Sequence, residues 1–171
     1  MSKKYEIIDD FLPQREFEKI QKTLMVPSPN TNEKVGWIYT SEVGNVGVQE
    51  NWKHFYMTHH VYAKGLIFSF VYEKIAPILM KLDLKALIRI KANLYPNSEK
   101  ILEHDTHVDA PWPHKAAIFS INTCDGYTKL EDGSKIDSVA NRMLFFDGST
   151  PHSSTTTSDT TVRINMGFNY F

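Results

Sequence analysis

The chain has 171 residues, of which 42% are hydrophobic and 23% are charged, and its formal net charge is −1 at pH 7. This length suits one domain with a substantial core, and the charge balance gives no general attraction to nucleic acid or to anionic membranes. No run of about 18 uninterrupted apolar residues occurs, so we expect no transmembrane helix and no membrane partner. Residues 1–5 lack a following apolar run and Cys124 has no cysteine to pair with, so we expect a cytoplasmic protein without a signal peptide.

The first predicted elements are a short strand and a helix. Residues 5–12 indicate a strand that runs into a helix, and Pro13 is compatible with the helix start. Phe17, Ile20 and Leu24 then recur at helical spacing with charged residues between them. They form one apolar face, which predicts that the helix packs against the core and has no catalytic role.

Residues 26–51 are rich in proline, glycine and asparagine, which break up long elements. Two interpretations are open for residues 26–52. One is a loop with an edge strand near residues 36–39. The other is a flap that faces the substrate, since binding residues gather on loops over a rigid scaffold.

The pattern of residues 58–84 predicts a helix that packs against the outside of a sheet. Its wide apolar stripe includes Leu66, Phe70 and Ile75. Pro77 is expected to end or kink this helix. His59 and His60 fall at its start, where adjacent residues point in different directions, so we expect exposed polar residues rather than metal ligands.

Residues 86–95 alternate as a β-strand does. One face carries Ile88, Ile90, Ala92 and Leu94. The other face carries Leu87, Arg89, Lys91, Asn93 and Tyr95. This mostly polar face would meet water in a surface strand, but in a barrel with a wet active site it would point inward.

Residues 101–109 predict a strand that ends in a His-x-Asp motif. His107 and Asp109 are two residues apart, so they project from the same side of a strand and can bind one ion together. His104 and Asp105 are rival ligands, but as neighbours they point to opposite faces, and His104 has the opposite parity to His107. We therefore favour His107 and Asp109.

The following residues predict a loop and three strands. Two prolines make residues 110–114 a stiff loop, in which Trp112 either lines a substrate mouth or covers the core, and His114 is not expected to be a ligand. Residues 115–123 predict a central strand. Residues 126–137 predict a hairpin, because Asp132-Gly133 is a strong tight-turn signal.

The C-terminal region predicts a buried strand at residues 143–146, a turn, and a second alternating strand at residues 162–171. The apolar face of the latter carries Val162, Ile164, Met166, Phe168 and Tyr170. Its other face carries Arg163, Asn165, Gly167 and Asn169. A charged residue in such a strand needs a partner. For Arg163 this is either an internal carboxylate or an anionic ligand bound at two points.

His152, far along the chain, could complete a facial set with His107 and Asp109. Two imidazoles and one carboxylate leave coordination positions open, and such a set suits non-haem Fe(II) in enzymes that use oxygen.

The order of these motifs resembles the 2-oxoglutarate- and Fe(II)-dependent dioxygenases, most closely their prolyl-hydroxylase-like branch. The resemblance runs from about residue 88 to residue 171. It is carried by NLYPN at 93–97, HVD at 107–109, MLFFD at 143–147, PHS at 151–153 and RIN at 163–165. Two positions depart from the family pattern: Ser120, where relatives often carry a tyrosine that bonds the distal carboxylate of 2-oxoglutarate, and Tyr127, where many have glycine.

The resemblance implies a mainly β fold, a double-stranded β-helix or jelly roll of about eight strands, with packed N-terminal and central α-helices. One oxygenase domain would span residues 1–171. Residues 1–84 would supply helical support and the flap region, and residues 85–171 would supply the jelly-roll core.

The resemblance also implies the site and its cofactors. The implied metal ligands are His107, Asp109 and His152, and the implied 2-oxoglutarate contacts are Tyr95, Arg163 and Asn165. The cofactors would be Fe(II), 2-oxoglutarate and O2, with ascorbate as an optional addition. The expected partner is a peptide, protein or small-molecule substrate, and no nucleic acid.

The implied reaction is hydroxylation of a C–H bond, in peptidyl or free proline, with release of succinate and CO2. Related halogenases carry a small residue in place of the carboxylate, so Asp109 favours hydroxylation. The alternative is a cupin-like jelly roll that binds a metal or ligand without turnover. A metal-dependent hydrolase or isomerase is a third interpretation, but such enzymes usually use more histidines and would leave Arg163 unexplained.

Overall fold

The computed structural model describes residues 5–28, 30, 33–41 and 54–171. In chain order these residues form β1 (Tyr5–Ile8), α1 (Gln14–Met25), β2 (Ile38–Thr40), β3 (Tyr56–Ala63), β4 (Leu66–Ile67), α2 (Val71–Lys74), α3 (Ala76–Lys81), β5 (Leu87–Pro96), β6 (Lys115–Ser120), β7 (Tyr127–Leu130), β8 (Lys135–Asp137), β9 (Met143–Asp147), β10 (His152–Ser154) and β11 (Val162–Tyr170). None of the described helices is long and apolar enough to cross a membrane.

The strands form two antiparallel sheets. The larger sheet has the order β1-β9-β6-β11-β5-β3-β2, with β4 paired to β3, and the smaller has the order β10-β7-β8. The N-terminal strand β1 closes one edge of the large sheet against β9, although the two are far apart in sequence. The expected mainly β jelly roll is confirmed.

The central strands β5 and β11 each have one apolar and one polar face, as their alternation predicts. Their apolar residues share one core with α1, α2 and α3; its buried members include Ile90, Ala92, Ile164, Met166 and Phe168 from the strands and Phe17, Ile20, Leu24, Val71 and Ile78 from the helices. The polar faces pair across the two strands: Arg89 with Asn169, Lys91 with Gly167, Asn93 with Asn165, and Tyr95 with Arg163. The helices cover one side of the sheet, so the polar rows face the opposite side.

The helix predicted over residues 58–84 is wrong in its first half, and in its second half only the short helices α2 and α3 occur, with the break beside Pro77 that was expected. Residues 56–67 form the β3–β4 hairpin, whose two turn residues, Lys64 and Gly65, have φ values of 52° and 78°. A two-residue turn with positive φ at both positions matches the twist of the paired strands. Leu66 belongs to this hairpin and is 61% exposed, so the apolar stripe is not one helical face. Pro77 lies in the first turn of α3, where its missing N–H costs little.

The predicted strand at residues 101–109 is also wrong, since only isolated bridges occur there: Glu103 with Thr155 and His107 with His152. The Leu102 amide donates to the Thr156 hydroxyl at 2.9 Å. A side-chain oxygen thus takes the place of the backbone carbonyl that a regular β-ladder would provide.

Most of the remaining expectations are confirmed, including β1, α1, β6, the β7–β8 hairpin, β9 and β11. An edge strand, β2, lies at residues 38–40. Of the postulated flap at residues 26–52, residues 29, 31, 32 and 42–52, with Trp52, lie outside the described residues. Cys124 is a buried free thiol.

Candidate metal centre

His107, Asp109 and His152 converge at one point in the structure. Each offers a ligand atom, and these atoms all lie within 4.8 Å of one another. The two histidines are opposite each other in an antiparallel bridge, with both N–H···O distances at 2.9 Å. Their ring centroids are 4.6 Å apart. The backbone pairing therefore positions both imidazoles on the same side as the carboxylate.

Both imidazoles have Nδ1 next to a backbone carbonyl. His152 Nδ1 lies 3.0 Å from Thr150 O, and His107 Nδ1 lies 3.4 Å from Asp105 O. A carbonyl only accepts, so Nδ1 carries the proton and Nε2 keeps its lone pair for a metal. Burial, assisted by His152, lowers the pKa of His107 to about 4, which keeps it neutral as a ligand must be.

The carboxylate of Asp109 is held at both oxygens. Oδ1 accepts from Arg89 Nη2, and Oδ2 accepts from Asn169 Nδ2 at 2.8 Å. Burial by itself would raise the pKa of Asp109, but Arg89, His152 and Asn169 outweigh it and the pKa is lowered. Each carboxylate oxygen has a further lone pair, so an anionic Asp109 fits a metal ligand.

His114, which we did not expect to be a ligand, positions the network instead. Its Nδ1 donates to Trp112 O at 2.8 Å, and its Nε2 accepts from Asn169 Nδ2 at 3.1 Å. The ring lies against the backbone of Gly148, where an added Cβ would be 2.1 Å from Nε2. Trp112 itself is 51% exposed.

A cavity of about 40 Å³ lies beside the three converging residues. Its lining consists of Tyr56, Arg89, Lys91, Asn93, Tyr95, His107, Asp109, Ile118, His152, Ser154, Asn165, Gly167 and Asn169. Of the three residues that the resemblance implies as 2-oxoglutarate contacts, Tyr95 and Asn165 line this cavity and Arg163 does not.

The hydroxyl group and the ring of Tyr95 make different contacts. Its hydroxyl donates to Ser154 Oγ at 3.0 Å, and its ring stacks on Tyr56 at 5.6 Å between centroids with an interplanar angle of 12°. Burial raises the pKa of Tyr95 and raises the pKa of Tyr56 to about 12. Both phenols are therefore neutral donors at pH 7.

Arg163 is 1% exposed and lies with its guanidinium carbon 5.2 Å from the Tyr95 ring centroid. Nη1 donates to Thr155 O and Nη2 to Thr128 Oγ1, both at 3.0 Å. Nε has no partner, and no carboxylate in the described part of the chain forms an ion pair with Arg163. Of the two partners considered for this residue, an internal carboxylate is therefore absent from the described residues.

His104, the rival ligand rejected on parity, lies away from the converging atoms. It is 3% exposed and packs against the rings of Tyr95 and His54, with centroid distances of 5.4 and 5.6 Å. Neither ring nitrogen has a partner among the described residues. Burial, followed by the nearby His54, lowers its pKa to about 4.

Sequence reasoning did not assign Arg89, Lys91, Asn169 or Tyr56 to the site. Strand parity was the available signal for three of them, because Arg89 and Lys91 share a face with Tyr95, and Asn169 shares a face with Arg163. Lys91 Nζ donates to the Tyr56 hydroxyl at 3.3 Å. Burial, and then the nearby Arg89, lowers the pKa of Lys91 to about 8.

No protein-family model and no curated protein matches the chain by sequence. By structure it is similar to an oxidoreductase of the 2OG-Fe(II) oxygenase family from Burkholderia pseudomallei, with a TM-score of 0.70, 10% identity, and coverage of 97% of this chain and 84% of that one. A prolyl hydroxylase from Trichoplax adhaerens, solved with a peptide of hypoxia inducible factor, gives a TM-score of 0.63, 16% identity, and coverage of 98% and 83%.

The epimerase SnoN of nogalamycin biosynthesis, which is non-heme and alpha-ketoglutarate dependent, gives a TM-score of 0.62 at 15% identity, with coverage of 98% and 77%. At these identities the comparisons establish the fold. The chain therefore has the fold of the 2-oxoglutarate- and Fe(II)-dependent oxygenases, prolyl hydroxylases among them.

Proposed function

We propose that the protein is an Fe(II)- and 2-oxoglutarate-dependent dioxygenase that hydroxylates a C–H bond. The observation that carries the proposal is the convergence of His107, Asp109 and His152 within 4.8 Å. Two imidazoles and one carboxylate suit non-haem Fe(II) and leave positions open for a co-substrate and O2. The shared oxygenase fold supports the same class of reaction.

The bound metal and 2-oxoglutarate would supply the oxidising chemistry, in which O2 converts 2-oxoglutarate to succinate and CO2 and delivers one oxygen atom to the substrate C–H bond. The protein supplies orientation and excludes side reactions. His107 and His152 offer Nε2 lone pairs. Asp109 offers an anionic oxygen, which Arg89 and Asn169 keep in position.

Tyr95, Asn165 and Arg163 are the proposed contacts of 2-oxoglutarate. Tyr95 and Asn165 line the cavity, and the neutral Tyr95 phenol can donate to a carboxylate. Arg163 contacts Tyr95 from outside the cavity lining and retains an unpartnered Nε donor. We therefore assign it the distal carboxylate, which it would reach when the side chains around Tyr95 move.

Peptidyl proline and a free amino acid are the two substrate classes that we consider. The Trichoplax neighbour was solved with a peptide fragment, which supports a peptide substrate.

Succinate formation from 2-oxoglutarate under Fe(II) and air, with and without ascorbate, tests the proposal. The wild-type protein should release succinate, and His107→Ala and His152→Ala should reduce release to background. Lys19→Met, an exposed change on α1, should leave the rate unchanged. Metal binding without succinate release would favour the non-catalytic jelly roll. If the two histidine variants still bind the metal and still release succinate, the assigned ligands are wrong.

A further inference from the structure

The cavity beside the candidate metal centre carries more positive than negative charge. Arg89 and Lys91 both line it, and Asp109 is the only acidic residue among the described lining residues. Arg89 forms an ion pair with Asp109, so these two charges offset each other. Lys91 forms no ion pair with any residue that the structure describes.

The proposed cofactors do not remove this surplus. A divalent metal brings two positive charges and 2-oxoglutarate brings two negative ones, so the pair is neutral as a unit. The buried Arg163 adds a further positive charge next to Tyr95. With metal and co-substrate bound, Lys91 would still have no anionic partner in the described part of the chain.

Lys91 is weakly partnered for a half-buried ammonium group. Its contacts are the Tyr56 hydroxyl at 3.3 Å and the Tyr56 ring, whose centroid lies 5.3 Å from Nζ. Burying a charge without a counter-charge is costly, and a charge-assisted hydrogen bond to an anion is one of the stronger polar contacts. Burial, and then the nearby Arg89, lowers the pKa of Lys91, and Asp109 opposes this only in part.

Space for a ligand lies next to Lys91. Gly167 is its partner in the β5–β11 register and also lines the cavity. Among the described residues, the nearest heavy atom to a Cβ added at Gly167 would be Lys91 O at 3.9 Å. One strand step of two residues, about 7 Å, separates Lys91 from Arg89, which contacts Asp109. A group bound to Lys91 would therefore hold the rest of its molecule near the metal.

We propose that the primary substrate carries a free carboxylate, as a free amino acid does, and that Lys91 binds this carboxylate. This inference rests on the proposed function and selects between its two substrate classes, since an internal prolyl residue of a peptide has no carboxylate to offer. Lys91 acts in specificity, and Gly167 leaves the space that the substrate enters.

The test uses the protein with Mn(II), an inert substitute for Fe(II), and 2-oxoglutarate, without oxygen. Each proteinogenic amino acid and its matched amide is titrated by calorimetry. At least one acid should bind about ten- to a hundredfold more tightly than its amide, the ratio expected for one charge-assisted hydrogen bond. Lys91→Met should abolish the preference, Gly167→Ala should weaken the binding of that acid, and Lys19→Met should change neither.

Three results would overturn the inference: no acid binds better than its amide, the preference survives in Lys91→Met, or Lys91→Met weakens 2-oxoglutarate binding instead. The third result would assign Lys91 to the co-substrate. A failure of the proposed function is separate from these, because it appears as absent succinate release in the Fe(II) protein. Acid binding that depends on Lys91 would then remain as an anion site without oxygenase chemistry.

Discussion

Asn169 holds the second oxygen of Asp109, because its side-chain amide donates to Asp109 Oδ2 at 2.8 Å. The same amide nitrogen donates to His114 Nε2 at 3.1 Å, and Asn169 Oδ1 accepts from Arg89 Nε at 3.2 Å. Both ends of the amide are thus fixed, which leaves one orientation for the group. Residues that orient a metal ligand in this way typically contribute roughly 10- to 100-fold to metal affinity.

Gly148→Ala should weaken metal binding although residue 148 lies outside the cavity lining. The new Cβ would be 2.1 Å from His114 Nε2, so the ring must move and its hydrogen bond with Asn169 is lost. We expect a loss of roughly 10-fold or more in Mn(II) affinity and about 1–3 kcal/mol in the free energy of unfolding. Calorimetric Mn(II) titration and urea unfolding measure the two effects.

Gly36→Ala is the matched control for this variant, since an added Cβ there meets no atom of the described residues within 4 Å. It should leave Mn(II) affinity unchanged. If Gly148→Ala loses stability but binds Mn(II) normally, the network from His114 to Asp109 does not orient the ligand.

Arg163→Ala should weaken 2-oxoglutarate binding far more than it weakens metal binding. Loss of one member of a buried charge pair typically costs about 3–5 kcal/mol, and about 1.4 kcal/mol is tenfold in affinity, so we expect a loss of two to three decades. The KM for 2-oxoglutarate and the Mn(II) affinity measure the two effects. Arg163→Lys should recover only part of the affinity, because lysine lacks the two-point fork.

Removing Arg163 also removes its bonds to Thr155 O and Thr128 Oγ1, so a modest loss of stability is expected in any case. Normal 2-oxoglutarate affinity combined with easier unfolding would make Arg163 a structural residue. The distal carboxylate would then have to bind elsewhere.

Mn(II) should stabilise the protein against thermal unfolding. A ligand that binds only the folded state adds about 2.7 kcal/mol when its concentration is 100 times its dissociation constant. Melting curves with Mn(II) and with a chelator give the increment, which His152→Ala should lose. An equal increment in His152→Ala would indicate that Mn(II) binds at another place.

His104 should make the metal-free protein less stable in mild acid. Burial lowers its pKa in the folded state to about 4, from about 6.5 in the unfolded chain, so the unfolded chain takes up a proton first as the pH falls. The stability is complete above about pH 6.5 and declines toward pH 4. At about 1.36 kcal/mol per pH unit, this residue accounts for about 2 kcal/mol between pH 6.5 and pH 5.

His104→Phe isolates this contribution, because neither ring nitrogen of His104 has a partner to lose in the described part of the chain. Urea unfolding at pH 7.5 and pH 5 should show a smaller difference for the variant than for the wild type. Identical pH dependence in both proteins would show that His104 is not buried as a neutral group.

Much of the site could be predicted because its residues follow the two-residue period of strands. The alternation in β5 and β11 assigns Tyr95 and Asn165 to an inward polar face, and both line the cavity. His107 and Asp109 converge as expected although residues 101–109 form no strand: a backbone bridge to His152 fixes His107, and Arg89 and Asn169 hold Asp109. The pairing of Arg89 with Asp109 and the packing of His114 on Gly148 join distant parts of the chain, so no local pattern reveals them.

The error over residues 58–84 has a local cause. Leu66, Phe70 and Ile75 imitate one helical face, whereas Lys64-Gly65 makes a hairpin turn and Leu66 is exposed on the short strand that follows. Neither residue of that turn is asparagine or aspartate, the most familiar partners of glycine in such turns. The strand predicted at residues 101–109 is reduced to isolated bridges, and beside them the Leu102 amide donates to the Thr156 hydroxyl rather than to a backbone carbonyl.

The two-faced character of β5 and β11 also limits how their length can change. A one-residue insertion inside β5 would exchange its faces, so that Arg89 would point into the helix-covered core and Ile90 into the cavity. The same holds for Arg163 and Ile164 in β11. The exposed turn at Asp132-Gly133 carries no such constraint. Length variation is therefore expected in such turns, and these two strands should keep a fixed number of residues.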